Sequence, residues 1–264
     1  PCAIISRVGD DDFGTLNLRR LQQDGVDTSG ITVAPGESTG SAFVRYREDG
    51  SRRFVFNITH SACGRLEPTA ASDALIHTCD HLHLMGSALA APGMRALALH
   101  ALQHIKARGG SVSFDPNLRR ELLGAPGLHE ALQQTLAATD IFLPSGDELY
   151  LFTTAQNEAD AIAELIARGI KEILLKRGEQ GASHYSADGR LDAAPIAVHE
   201  DDPTGAGDSF GGAYIALRLN GHDAASALRY ANAAGARAVT RIGPMEGTST
   251  LAELDALLIA HKNN

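Results

Sequence analysis

Residues 81–115 read HLHLMGSALAAPGMRALALHALQHIKARGGSVSFD. His81–Met85 is a short β-type run. Met94, Leu97, Ala98, Ala101, Leu102 and Ile105 follow at i, i+3, i+4, i+7, i+8 and i+11, one face of a helix, and Gly109-Gly110 stops it. Ser111–Phe114 is a second β-type run. Strand, helix and strand joined by short connections make the unit of a parallel sheet covered by helices.

The alternation continues on both sides. Towards the C-terminus the periodicity predicts a helix over Leu128–Ala138, a strand at Ile141–Leu143, a helix over Glu158–Arg168 and a strand at Glu172–Lys176. Ala182–Tyr185 and Pro195–His199 read as β around the turn Asp188-Gly189, and Ala-rich helices follow over 208–219 and 223–240. Towards the N-terminus a strand near Ala3–Val8 leads into a helix carrying Leu16, Leu18 and Leu21 that ends at Gly25. Residues 31–57 are different: Ser41–Tyr46 and Arg53–Asn57 flank Glu48-Asp49-Gly50-Ser51, the pattern of a hairpin with no helix between. The expectation is a single α/β domain over 1–264, doubly wound around a mostly parallel sheet flanked by helices, with residues 31–57 part of a small β lid. No repeat of 20 to 50 residues is seen.

Composition excludes several classes. The 264 residues are 44% hydrophobic and 21% charged, enough for a sizeable core. The longest apolar runs, Ala213–Leu217 and Ala256–Ala260, fall far short of the roughly 18 residues that span a bilayer, so no membrane partner is expected. Lys and Arg total 23 against 32 Asp and Glu, a net charge of -9 that repels nucleic acid. Three cysteines, Cys2, Cys63 and Cys79, suit reduced thiols and a cytoplasmic location. The chain opens without Met or a signal segment, and a segment upstream of Pro1 is expected to be missing.

The segment richest in chemistry is Asp202-Pro203-Thr204-Gly205-Ala206-Gly207-Asp208-Ser209-Phe210-Gly211-Gly212. Gly205 and Gly207 allow a tight turn whose N–H groups converge, and a helix begins directly after, so the loop suits an anion such as phosphate. Asp208 stands where a transferring phosphoryl group would lie, as a base for an attacking hydroxyl requires. Two other readings compete: ordinary capping by an Asp in a first helical turn, and a dinucleotide fingerprint, weakened because no strand with an acidic tip follows. No Gly-x-x-x-x-Gly-Lys-Ser/Thr occurs, which excludes a P-loop.

Asp202–Asp208 resembles the C-terminal signature of the ribokinase-like (pfkB) carbohydrate kinases, nearest to the 2-keto-3-deoxygluconate kinase and tagatose kinase branch. Val8-Gly9-Asp10-Asp11-Asp12-Phe13-Gly14, Phe114-Asp115-Pro116-Asn117-Leu118-Arg119, Leu174-Leu175-Lys176-Arg177-Gly178 with Gly181, and Asn232-Ala233-Ala234-Gly235-Ala236 agree with it in order. The resemblance implies ATP-dependent phosphorylation of a sugar hydroxyl, with Gly205, Ala206 and Gly207 as an anion hole and Asp208 as catalytic base. It implies Lys176, Gly178, Gly181, Thr204, Asn232 and Gly235 for the nucleotide, and Asn117 and Arg119 for the phosphates or the sugar. Thr39, Gly40 and Phe43 are the candidate sugar contacts of the lid. The family's Asn-x-x-Glu, which helps hold Mg2+, stands here as Ser145-Gly146-Asp147-Glu148, leaving Glu148 as the metal candidate. A monovalent cation such as K+ is a further cofactor the resemblance allows, and a homodimer through the lid a further assembly.

The sugar-acid kinases of this branch carry an Arg just after the second lid strand, to grip a carboxylate. Here that place reads Phe56-Asn57-Ile58, which points towards a neutral ketohexose such as tagatose or fructose. The alternatives are a nucleotide-binding protein of the same fold without turnover and a Rossmann oxidoreductase. His77, His81 and His83 with Cys79 invite a zinc reading, but no second ligand cluster accompanies them.

Overall fold

Leu97, Ala98, Ala101, Leu102 and Ile105 are all buried on one helix face, as their spacing requires. The computed structural model of the chain describes residues 1–46, 52–118 and 124–262. It divides into two compact units, Pro1–Val112 with Arg120–Thr135, and Ser113–Arg119 with Leu136–Asn264.

In the first unit β1 (Ser6–Gly9), α1 (Asp12–Gln23) and β2 (Ile31–Ala34) form a parallel β-α-β turn, with Ser6 opposite Ile31 and Gly9 opposite Ala34. Asp11 caps α1 by accepting from Gly14 N at 2.8 Å, and Gly25 leaves it at φ +76°. β3 (Ser41–Tyr46) and β4 (Arg52–Asn57) pair antiparallel as a separate two-stranded sheet, while the turn Glu48–Ser51 lies outside the described residues. Of residues 31–57, Ile31–Ala34 therefore belong with β1 and the rest of the β structure with the hairpin. α2 (Ala70–Thr78), β5 (His81–Met85) and α3 (Pro92–Ala107) follow, with Leu66, Ile76, Leu97 and Ala101 at their core. α2 is not among the helices that the apolar periodicity predicts. Its start is set by a reciprocal cap in which Thr69 Oγ1 accepts from Ser72 N and Ser72 Oγ accepts from Thr69 N.

The remaining elements are β6 (Ser111–Asp115), α4 (Leu128–Ala137), β7 (Ile141–Phe142), α5 (Glu158–Ala167), β8 (Glu172–Lys176), β9 (Ala182–Ser186), β10 (Gly189–Ala193), α6 (Ala206–Leu219), α7 (Ala224–Ala238) and α8 (Leu251–Lys262). The main sheet runs β10-β9-β8-β7-β6-β5 and is mixed: β6, β7 and β8 are parallel, whereas β8, β9 and β10 are antiparallel. One expectation fails here. Pro195–His199 forms no strand, and the partner of β9 is Gly189–Ala193, reached through a two-residue turn with Gly189 opposite Ser186. Proline has no N–H for a ladder, and Gly189, at φ +124°, starts the return strand at once.

In the second unit Ile141, Leu143 and Leu174 pack under Phe210, Tyr214 and Leu217 of α6 and Leu228 and Ala231 of α7. Ala227, Ala231, Ala234 and Ala238 are buried along α7, so the Ala-rich run is a packing face whose small side chains let helices approach closely. The same core holds a polar cluster. Glu172 accepts from Tyr214 Oη and Arg218 Nη2, each at 2.5 Å, and His184 Nε2 lies 3.7 Å away. Burial pushes the Glu172 carboxyl up, but His184, Arg218 and Tyr214 outweigh it and hold the group at about 2. A carboxyl lowered on folding stabilises the protein above its ordinary value of 4.5 and loses that contribution as the pH falls towards 2. Glu172→Gln should therefore cost roughly 3 kcal/mol at pH 7, at about 1.4 kcal/mol per unit. It should also flatten the loss of stability between pH 4.5 and 2. Urea unfolding across this range checks it, and parallel curves for the two proteins would refute it.

Candidate active site

The mouth of α6 is shaped by one glycine. Gly205 is the N-cap, in the left-handed region at φ +83°, and a Cβ there would stand 2.2 Å from the carbonyl oxygen of Pro244. First-turn amides of a helix have no intrahelical carbonyl to bond. Here Ala206 N reaches back only weakly, to Pro203 O at 3.4 Å. Beside Gly207 the space is open, since a Cβ built there would meet only Lys176 Nζ, at 3.7 Å. Asp208 follows in the same first turn with its side chain exposed. A helix mouth, an ammonium facing it and a solvent-accessible carboxylate are thus grouped within one unit.

The loop before α6 is fastened by the buried carboxylate of Asp202, a functional residue that no motif reading singled out. Asp202 Oδ1 accepts from Thr204 N at 3.0 Å and Thr204 Oγ1 at 2.7 Å, and Oδ2 accepts from Gly243 N at 3.1 Å. Thr204 is therefore held by Asp202, and the segment carrying Pro244 is tied to the same side chain.

Lys176 is presented by the end of β8, where its N–H bonds Pro144 O at 2.9 Å. Its ammonium pairs with Asp115 Oδ2 at 2.5 Å, with the two side chains only 11% and 6% exposed. Asp115 Oδ1 accepts from Asn117 N at 3.1 Å, and Asn117 adopts φ +38°, a left-handed value that a short side-chain bridge of this kind supports. Glu148 is held from two sides, Oε1 by Leu118 N and Oε2 by Ser145 N, both at 2.8 Å. Burial raises its pKa, opposed by those two N–H groups and by Lys176 and reinforced by Asp115. A partly buried carboxylate that gains from a positive partner fits a share in Mg2+, which is commonly bound by one or two carboxylates together with substrate phosphates. Among the described residues no group of three or more His, Cys, Asp or Glu forms a self-sufficient metal cage.

Beside Lys176 a cleft of about 500 Å³ is lined by Ser145, Gly146, Lys176, Arg177, Gly178, Glu179 and Gln180. Gly178 (φ +57°) and Gly181 (φ +85°) bend its wall, and a Cβ on Gly181 would stand 2.2 Å from Ala193 O. Arg177 secures the wall through a two-pronged bond to Glu158, at 2.6 and 2.9 Å. Gly235 lets α7 approach the start of α6, since a Cβ there would meet Ala206 O at 3.4 Å. Asn232 Nδ2 donates to Ala194 O at 2.7 Å, tying α7 to the chain after β10.

Lys176, Glu148, Asn117, Gly178, Gly181, Thr204–Asp208, Asn232 and Gly235 all lie in the second unit. Thr39, Gly40 and Phe43 lie in the first. Thr39 is buried, its hydroxyl donating to Asp11 Oδ1 at 2.6 Å and accepting from Gly9 N at 2.9 Å. Gly40 packs on Cys63 and Ser61, and Phe43 is exposed on β3. Arg119 is outside the described residues. Asp115 and Asp202 share a local sign that the sequence does carry: each precedes a proline and accepts from the N–H two residues on.

The description pfkB family carbohydrate kinase fits residues 1–251. The chain is 33% identical over 267 residues to the probable fructokinase-4 of Arabidopsis thaliana, covering 97% of this chain and 81% of that one. It is 32% identical over 266 residues to the 2-dehydro-3-deoxygluconokinase of Thermoproteus tenax, covering 98% and 80%. An E. coli protein provisionally named ribokinase II, solved in complex with ATP and Mg2+, matches with a TM-score of 0.93 and 48% identity over 99% of this chain and 84% of that one. With the helix mouth, the ribokinase-like mixed sheet and these similarities in agreement, the chain belongs to the pfkB family of carbohydrate kinases.

Proposed function

We propose that this kinase transfers the terminal phosphoryl group of ATP to a hydroxyl of a ketohexose such as fructose or tagatose, with 2-keto-3-deoxygluconate as the second substrate class. The observation that carries the reading is the open space at the mouth of α6, faced by Lys176 and flanked by the exposed carboxylate of Asp208. The amides of Gly205, Ala206 and Gly207 hold the charge that develops on the moving group, Lys176 neutralises part of it, and Asp208 accepts the hydroxyl proton. Bound Mg2+ supplies charge neutralisation along the polyphosphate, and Glu148 is the carboxylate that would hold it. Thr204 supports the phosphate loop, Gly178 and Gly181 serve the nucleotide, and Asn232 and Gly235 serve its adenine. Asn117 serves the phosphates or the sugar, and Gly40 and Phe43 serve the sugar. The fructokinase and 2-dehydro-3-deoxygluconokinase names of the relatives support both substrate classes. Phe56-Asn57-Ile58, in place of an Arg, favours the neutral sugar.

A coupled assay of ADP release over fructose, tagatose, 2-keto-3-deoxygluconate and ribose tests the choice. The expected result is the highest kcat/KM with a ketohexose, and a clear preference for ribose would overturn it. The same reading includes K+ as an activator, a cytoplasmic enzyme and a homodimer through the hairpin. Phe43 and Val55, paired across β3 and β4, are 65% and 58% exposed there. Among the described residues no helix is long and apolar enough to cross a membrane.

A further inference from the structure

We infer that Asp115 is a positioning residue for phosphoryl transfer, one carboxylate that aims the Lys176 ammonium at the mouth of α6 and sets the Asn117–Leu118 backbone against Glu148. This rests on the proposed site of phosphoryl transfer. An ionised carboxylate only accepts hydrogen bonds, and each oxygen of Asp115 has a separate task. Oδ2 takes Lys176 Nζ at 2.5 Å, and Oδ1 takes Asn117 N at 3.1 Å.

The first task fixes a flexible cation. Lysine carries its charge on a four-carbon stem with several rotatable bonds, and that freedom must be removed before the ammonium can mark one point in space. An ammonium has three N–H donors, so a bond to Asp115 leaves donor capacity for a phosphate oxygen. Its place, 3.7 Å from where a Gly207 Cβ would stand, is the space the transferring group is proposed to enter. The second task steadies a costly backbone. Asn117 sits at φ +38°, and the next N–H, that of Leu118, is one of the two that hold Glu148. Asparagine at position 115 could still accept from Asn117 N but would lack the charge that attracts Lys176, so the two tasks separate by substitution.

Asp115→Asn should raise the dissociation constant of ATP measured without Mg2+ by roughly 10- to 100-fold, the scale of a lost charged hydrogen bond, and lower kcat similarly. Its thermal midpoint should fall as well, because the buried Lys176 ammonium loses the charge it pairs with, while the losses in ATP affinity and kcat persist in the protein that remains folded. Lys176→Met should reproduce the weaker ATP binding, and Asp115→Asn combined with Lys176→Met should bind ATP no worse than Lys176→Met alone. This double variant also removes both buried charges, and so covers the case in which Asp115→Asn does not fold. Additive losses, or a fall in thermal midpoint with unchanged ATP affinity and kcat in the folded protein, would overturn the inference. If Asp208→Asn abolishes transfer while Asp115→Asn changes neither constant, the inference alone fails. If Asp208→Asn is also fully active, the proposed site fails with it.

Discussion

Gly205→Ala is expected to abolish measurable phosphoryl transfer and to lower the thermal midpoint by several degrees. Two independent penalties meet at this position. The backbone stands at φ +83°, where an L side chain costs about 1 to 3 kcal/mol, and the added Cβ would lie 2.2 Å from the Pro244 carbonyl oxygen, a backbone atom. Something has to shift, and either the start of α6 or the 243–244 segment moves. Asp202 ties Thr204 to Gly243, so displacement of one side reaches the other. The neighbouring glycine gives the contrast. A methyl on Gly207 meets nothing closer than Lys176 Nζ at 3.7 Å, so Gly207→Ala should keep the parent's thermal midpoint and lose ATP affinity, because the methyl occupies the space proposed for phosphate. Calorimetry of unfolding and of ATP binding reads both effects. A fully active, equally stable Gly205→Ala protein would contradict the described mouth of α6.

Asp208→Asn is expected to lower kcat by roughly a thousandfold, within the usual range for a general base, and to leave ATP affinity within about twofold of the parent. The side chain is exposed in the first turn of α6. Asparagine keeps its size and removes the negative charge and, with it, the capacity to take a proton. Any change in ATP affinity should be small and in the direction of tighter binding, since a negative charge beside a polyphosphate is lost.

Much of this arrangement is legible in the chain because its causes are local. The apolar spacing of α3, the β run of Glu172–Lys176 and the glycines of 205–207 each state their own structure within a few residues. The missed elements lack a local sign of that kind. The apolar residues of α8 are spread around its circumference, interrupted by Glu253 and Asp255, rather than gathered on one face, with Leu254 buried while Leu251 and Ile259 are exposed, so no stripe marks it. α2 is short and starts on a Thr/Ser cap in which Ser72 takes the place of the usual acidic or amide partner. The pairing of Asp115 with Lys176 joins residues 61 apart, brought together by the ends of β6 and β8, and no spacing rule reaches that far. Thr39 shows the converse. It is a candidate sugar contact by its place in the lid, and nothing in its spacing shows that its hydroxyl donates to Asp11 and accepts from Gly9.

The central claim is that main-chain amides at the mouth of α6 grip the nucleotide's terminal phosphate while the Asp208 carboxylate takes up the acceptor's proton. Rapid-quench measurement of a single turnover with Asp208→Asn, at ATP and sugar concentrations shown by calorimetry to fill the site, tests it most directly. Full occupancy with transfer slowed roughly a thousandfold is the predicted result. Transfer within about tenfold of the parent rate, or a site that no longer fills with ATP, would contradict it.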